Sequence, residues 1–219
     1  MSLEPDIVEK RDPVLKVLGR ASSSNVQKVM WCLAELGVAC ERIDIGGAFG
    51  GTSDASFLKL NPNGLVPTLV DGDTVVWESN TIVRYLCNRF APTPLYPADA
   101  AARADIERWM DWQLGTLNGS LTPLFLALVR TPAELRQPDS IEQHRSRTGA
   151  MLSLLDGALR GRDFLCGNRL TLAEIGLGAS IYRWFELPIE RASLPSLARW
   201  YTLLQQRPGY RQQVMIGLA

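Results

Sequence analysis

NPNGLVPTLVDGDTVVWESN, residues 61–80, decides the fold. It opens on a turn, Asn61-Pro62-Asn63-Gly64. Val66 to Val70 then reads as a strand, Asp71-Gly72-Asp73 as a hairpin turn, and Thr74 to Trp77 as the returning strand. Pro67 stands at the start of the first of these strands, where a missing N–H is tolerated. Past the hairpin, Ser79 is expected to cap a helix that carries Ile82, Val83, Leu86 and Phe90 at helical spacing.

Working upstream, Val14 to Gly19 is a short β-branched run that predicts a buried strand. A polar loop, Arg20-Ala21-Ser22-Ser23-Ser24, leads into a helix with Val26, Val29, Met30, Leu33 and Leu36 on one face, ended by Gly37. Val38 to Ile45 reads as a second strand, with Ile43 and Ile45 on one face. Strand, helix, strand in about 30 residues makes a βαβ unit with parallel strands. Gly46 to Asp54 is a glycine-rich connection without the spacing of a phosphate cradle, and Ala55 to Leu60 is one helical turn.

Working downstream, Ala91 to Ala98 (APTPLYPA) holds Pro92, Pro94 and Pro97 and reads as a linker. Beyond it no strand-like alternation occurs. Helices are expected over Asp99–Val129, with Pro123 kinking it or ending its regular part, and over Ser140–Leu159, Thr171–Phe185, Leu194–Gln206 and Gly209–Met215. Thr171-Leu172-Ala173-Glu174 forms a capping box. Trp184 and Trp200 are read as core. The fold class is therefore α/β followed by all-α.

The composition removes several functions. The chain has 219 residues, 23 Lys plus Arg against 23 Asp plus Glu, and no net charge, so it lacks the field of a general nucleic-acid binder. All 14 arginines after Ala98 are read as a solvated helical surface. No apolar run reaches the length of a membrane span, and Met1 to Pro13 is too charged for a secretory signal. Four cysteines without a C-x-x-C pair, and one histidine, His144, argue against a metal site and against a His-dependent triad. A reduced, cytoplasmic setting is the default for such cysteines, which are read as buried apolar residues.

The order β-α-β, connection, β-β-α with a proline opening the third strand resembles the thioredoxin fold. With the helical second half, the whole chain resembles a cytosolic glutathione transferase of the serine type, bacterial-like and close to the theta, phi and nu relatives. Four motifs in order carry the resemblance: Ser23-Ser24-Asn25-Val26, Asn61 to Leu69, Glu78-Ser79-Asn80-Thr81-Ile82, and Phe164 to Ile175. It implies a thioredoxin-like glutathione-binding domain over 14–91, a linker over 92–97 and a helical domain over 98–219 after an extension, 1–13. It also implies a cis Pro67 and a homodimer, with Arg84 on the third helix as a cross-subunit contact.

The chemistry of glutathione fits these motifs. Glu78 and Ser79 suit the γ-glutamyl end, because a hydroxyl and free N–H groups at a helix N-terminus hold a carboxylate while Glu78 accepts from the ammonium. A cis Pro67 would turn the Val66 N–H and C=O outward to pair with the cysteinyl residue. The thiolate needs a donor at the start of the first helix, and no histidine or metal. Ser23 is the leading candidate, Asn25 the second, and Ser22 or Ser24 remain open. Leu65 and Thr52-Ser53 lack the charge that relatives use for the glycyl carboxylate, which implies either low affinity or a substitute such as Lys59 or Arg20. Trp112 and Thr116, on the long helix from Asp99, are the candidate electrophile wall.

The expected activity is transfer of glutathione, as co-substrate, to a small electrophile. Two alternatives stand beside it: glutathione-dependent reduction of peroxides or disulfides with Asn25 contributing, and a non-enzymatic binding module on the same fold.

Overall fold

The computed structural model describes residues 14–218; the predicted extension, 1–13, lies outside the described residues. Four strands form one mixed sheet in the order β2-β1-β3-β4. β1 (Lys16–Leu18) pairs parallel with β2 (Glu41–Ile43) and antiparallel with β3 (Thr68–Asp71), which pairs antiparallel with β4 (Thr74–Trp77). The parallel pair is the βαβ unit, closed by α1 (Ser24–Leu36). Gly37 ends α1 in the left-handed conformation (φ 67°), which returns its N–H to the Ala34 carbonyl. β2 is shorter than the predicted Val38–Ile45, since only Glu41 to Ile43 finds a partner in β1.

α2 (Ala55–Leu60) precedes the 61–64 turn, and α3 (Ser79–Arg89) follows β4. Ser79 is not the cap of α3. Glu78 takes that place at φ 68°, the only non-glycine residue with positive φ among those described, so Ser79 is already the first helical residue.

The long helix expected over Asp99–Val129 is a continuous rod with two wide π-helical stretches. α4 (Ala100–Trp112), capped by the Asp99 carboxylate, runs through Gln113–Leu117 into α5 (Asn118–Phe125) and then Leu126–Arg130. Pro123 sits within α5, between the wide stretches, and interrupts the regular geometry without ending the rod. α6 (Pro138–Ala158), α7 (Leu172–Glu186), α8 (Pro195–Gln205) and α9 (Pro208–Gln213) complete the helical half. The Thr171 capping box forms as read, and Glu174 at its third position also accepts from the Leu165 N–H at 2.7 Å. That second bond pins the segment before α7 to its first turn.

One hydrophobic core runs through both halves. α1 is buried on more than one face, polar Gln27 and Lys28 included, because it packs against both α3 and α7. Gly178 on α7 permits this approach: a Cβ there would stand 2.4 Å from the Trp31 ring of α1 and 2.9 Å from Tyr210 of α9. Trp184 and Trp200 are core, as read. Arg84 pairs within its own chain with Glu107 at 3.2 Å and Asp111 at 3.3 Å on α4.

Candidate active site

Three turns converge at the end of the sheet. The first follows β1. A Cβ on Gly19 would lie 2.5 Å from Val26 and 3.1 Å from Val66, so only glycine lets this loop close onto both α1 and the 61–67 turn. The Ser23 N–H donates to the Arg20 carbonyl at 3.2 Å, and the Ser23 carbonyl accepts the first helical bond from Gln27 at 2.8 Å. Ser23 is thus the N-cap of α1 by backbone position, yet its hydroxyl makes no capping bond. A largely buried hydroxyl left uncommitted beside the helix N-terminus is placed to donate to an anion.

The neighbours of Ser23 face different ways. Asn25 turns toward α3, where its Oδ1 accepts from the Ser79 hydroxyl at 3.3 Å. Ser22 faces the helical half, beside a crevice too tight for a water molecule that Gln27, Phe125, Tyr182, Arg183, Gly217 and Leu218 also line. Ser24 is the first helical residue and is half-buried.

The second turn presents Val66. Asn61 organises it from within: its Nδ2 donates to the Leu65 carbonyl at 2.8 Å and to the Thr68 hydroxyl at 3.1 Å, while its Oδ1 accepts from the Asn63 N–H at 3.1 Å. The Val66–Pro67 peptide bond is cis. Among the described residues neither the N–H nor the C=O of Val66 enters a backbone hydrogen bond, so both are open to a peptide-like ligand. Of the two candidates for a glycyl carboxylate, Lys59 is exposed on α2, whereas the Arg20 guanidinium lies beside Gly46, the same glycine that Thr52 and Val66 approach.

The third turn is Glu78-Ser79-Asn80. Its positive-φ corner, a conformation that costs of order 1–3 kcal/mol, leaves the Glu78 side chain exposed and Ser79 and Asn80 buried at the first turn of α3. Beneath them lies a residue that the sequence reading missed. Lys28 of α1 is fully enclosed, and its Nζ donates to Ser79 Oγ at 3.3 Å, Asn80 Oδ1 at 2.7 Å and Gln113 Oε1 at 3.2 Å. Gln113, in the first π-helical stretch, passes the network on to Asn118 at 2.9 Å and Ser180 at 3.0 Å. Burial brings the Lys28 ammonium down to about 7, with Glu78 opposing the shift and Arg84 adding to it. The available signal was Trp31 and Cys32, apolar residues off the Val26–Val29–Leu33 stripe, which announce a second buried face on α1.

Trp112 and Thr116, the candidate electrophile wall, lie at the junction of α4 with the first π-helical stretch. Trp112 is half-buried and meets Trp109 edge-on at 5.6 Å, and Thr116 is exposed. A larger hollow between Pro94, Asp105 and Cys166 lies away from all three turns. Burial, then the Glu174 and Asp105 charges, push the Cys166 thiol up to about 12, which leaves it a poor nucleophile. Among the described residues no group of three or more His, Cys, Asp or Glu side chains could hold a metal ion, and no helix is long and apolar enough to cross a membrane.

The family model for the glutathione S-transferase N-terminal domain matches residues 18–94, and that for the glutathione S-transferase C-terminal domain matches residues 138–203. The chain is 38% identical over 208 residues to glutathione S-transferase GstB of Escherichia coli strain K12, covering 94% of this chain and 100% of that one. It is 31% identical to glutathione S-transferase 3 of Zea mays, over 91% of this chain and 93% of that one. The theta class glutathione S-transferase of Xanthomonas axonopodis pv. citri, solved with glutathione bound, superposes with a TM-score of 0.91 at 47% identity, over 94% of this chain and 100% of that one.

Proposed function

The chain belongs to the glutathione S-transferase family, and from that premise we propose that it conjugates the glutathione thiolate to small electrophiles. The observation that carries the reading is the hydrogen bond from Ser79 to Asn25, 54 residues apart, which joins the carboxylate-binding turn to the loop that holds the thiol donor. Ser79 and the first N–H groups of α3 bind the γ-glutamyl carboxylate, and Glu78 accepts from its ammonium. Val66 pairs through its backbone with the cysteinyl residue beside Pro67. Arg20, which shares the space over Gly46 with Val66 and Thr52, takes the glycyl carboxylate.

Ser23 then donates to the sulfur. A donor preorganised at a helix N-terminus stabilises the thiolate more than the thiol, so the thiol ionises nearer neutral pH. In the ligand-free site the Ser79 hydroxyl donates to Asn25 Oδ1, and it turns to the carboxylate when glutathione binds; Asn25 thus stands at the γ-glutamyl turn, which favours conjugation over glutathione-dependent reduction. The electrophile enters between the 20–23 loop and the rod from Ala100 to Arg130, with Trp112 and Thr116 as its candidate walls. Four free cysteines suit a reducing, cytoplasmic setting, and the family reading carries a homodimer with it, whose mass sedimentation would give.

The test is thermal unfolding with increasing glutathione, followed by steady-state conjugation to chlorodinitrobenzene. Ligand that binds only the folded state raises stability by RT ln(1 + [L]/Kd). Glu78→Ala and Ser79→Ala are expected to raise the KM for glutathione with a smaller change in kcat. No stabilisation by millimolar glutathione, or no conjugation by a protein that binds it, would refute the reading.

A further inference from the structure

Lys28 joins the two halves of the chain. Its Nζ donates to Ser79 Oγ at 3.3 Å and Asn80 Oδ1 at 2.7 Å on α3, and to Gln113 Oε1 at 3.2 Å on the rod. An ammonium has three N–H donors, and these three acceptors match them. A neutral amine has two donors and a lone pair. Losing the charge therefore leaves one acceptor unmet, or turns the Ser79 hydroxyl inward to donate to Nζ. The ammonium leaves the Ser79 hydrogen free to point outward, as it does toward Asn25 Oδ1 at 3.3 Å. A γ-glutamyl carboxylate is an acceptor and needs that outward hydrogen.

Among the described residues no carboxylate stands within ion-pair distance of Lys28. Burial opposes its charged form most, Glu78 favours it and Arg84 opposes it. On α1 itself, Cys32 faces Cys87 at 4.0 Å and stays a neutral thiol. The rod and α7 bring Gln113, Asn118 and Ser180, none of which titrates. Gln113 is thus the acceptor that the helical half supplies to an enclosed charge without a counter-ion. Its Nε2 donates to Asn118 Oδ1 at 2.9 Å and Ser180 Oγ at 3.0 Å, which aims Oε1 at Lys28. Asn80 Nδ2 also donates to the Met110 carbonyl at 3.2 Å, so α3 and the rod are tied twice at this point. Gln113 opens a π-helical stretch, a form that recurs at functional sites. We propose that Gln113 is a positioning residue for glutathione: it holds Lys28 in its charged form, and through Lys28 keeps the Ser79 hydroxyl turned toward the γ-glutamyl carboxylate. This role rests on the glutathione-binding reading above.

The experiment measures the affinity of S-methylglutathione from acid to alkaline pH in wild type, Gln113→Met and Gln113→Glu, each checked for fold by circular dichroism. An anion on Ser79 favours the ammonium, so affinity is full below the pKa of the free lysine and falls as pH rises above it. In wild type the fall should begin near pH 7. Gln113→Met removes an acceptor that stabilises the charged form, and the onset should move down by about one to two pH units. Gln113→Glu places a carboxylate beside Nζ, and the onset should move up by about one unit or more. The ligand's own amine contributes equally in all three. A role in packing alone would weaken binding at every pH and would not move the onset in opposite directions. One onset shared by the three proteins, or a shift of the same sign in both variants, overturns the proposal. Where one variant fails to fold, the sign of the other's shift decides. Where both fail, Ser180→Ala removes one of the acceptors that aim the amide and should lower the onset by about half a unit; an unmoved onset there overturns the proposal. A wild type that binds no S-methylglutathione at any pH overturns the glutathione reading itself.

Discussion

Lys28→Met tests whether the enclosed ammonium under Ser79 takes part in glutathione binding. With the site empty, burial holds Lys28 near neutrality, at about 7. A γ-glutamyl carboxylate on Ser79 sits one hydrogen bond beyond a hydroxyl that is 3.3 Å from Nζ. The two charges are then roughly 6 Å apart, worth about 3 kcal/mol at an effective dielectric of about 20. That energy corresponds to about two pKa units. The sign follows from the charge: the anion favours the protonated lysine, so the pKa rises on binding and the complex takes up a proton. Affinity is full below the pKa of the free site and falls as pH rises toward that of the complex.

Near pH 8 the uptake should be roughly 0.8 proton, and affinity should fall about tenfold per pH unit between the two pKa values. S-methylglutathione removes the ligand thiol from the balance. Calorimetric titration in buffers of different ionisation enthalpy counts the protons directly. Wild type should show the uptake, and Lys28→Met, checked for fold by circular dichroism, should show almost none, which also subtracts the ligand's own amine. Equal proton counts in the two proteins would sink the argument, because the proton would then be going elsewhere.

Ser23→Ala should leave glutathione affinity nearly unchanged, lower kcat by roughly ten- to a thousandfold, and move the pKa of the pH–rate profile toward that of a free thiol, about 8.5. Full activity in Ser23→Ala with loss in Asn25→Ala would move the thiol donor to Asn25. Gly178→Ala puts a methyl 2.4 Å from the Trp31 ring, and overpacking of this kind costs roughly 1–3 kcal/mol. In a chain of this length the midpoint should drop by roughly 3–10 °C in scanning calorimetry, and an unchanged midpoint would mean that α1 and α7 can part at little cost.

What the sequence by itself determined is what short-range chemistry writes. The Asp71-Gly72-Asp73 turn, the glycine ending α1, the Thr171–Glu174 capping box and the order of motifs were legible because each depends on residues a few positions apart. So was Ser23 as a candidate, since it follows directly from the start of a helix. One local reading failed where the backbone takes a form that residue type does not announce: Glu78 at positive φ displaced Ser79 from the cap. What only the tertiary structure decided is what partners the buried polar groups. Lys28 meets acceptors 51, 52 and 85 residues away, and without them its spacing on α1 reads as an ordinary surface lysine. Arg183 joins Phe125 and Ser22 by the same kind of convergence. Such groups cost several kcal/mol each if left unpaired, so they can be buried only where distant elements close around them, and that closure is a property of the folded chain.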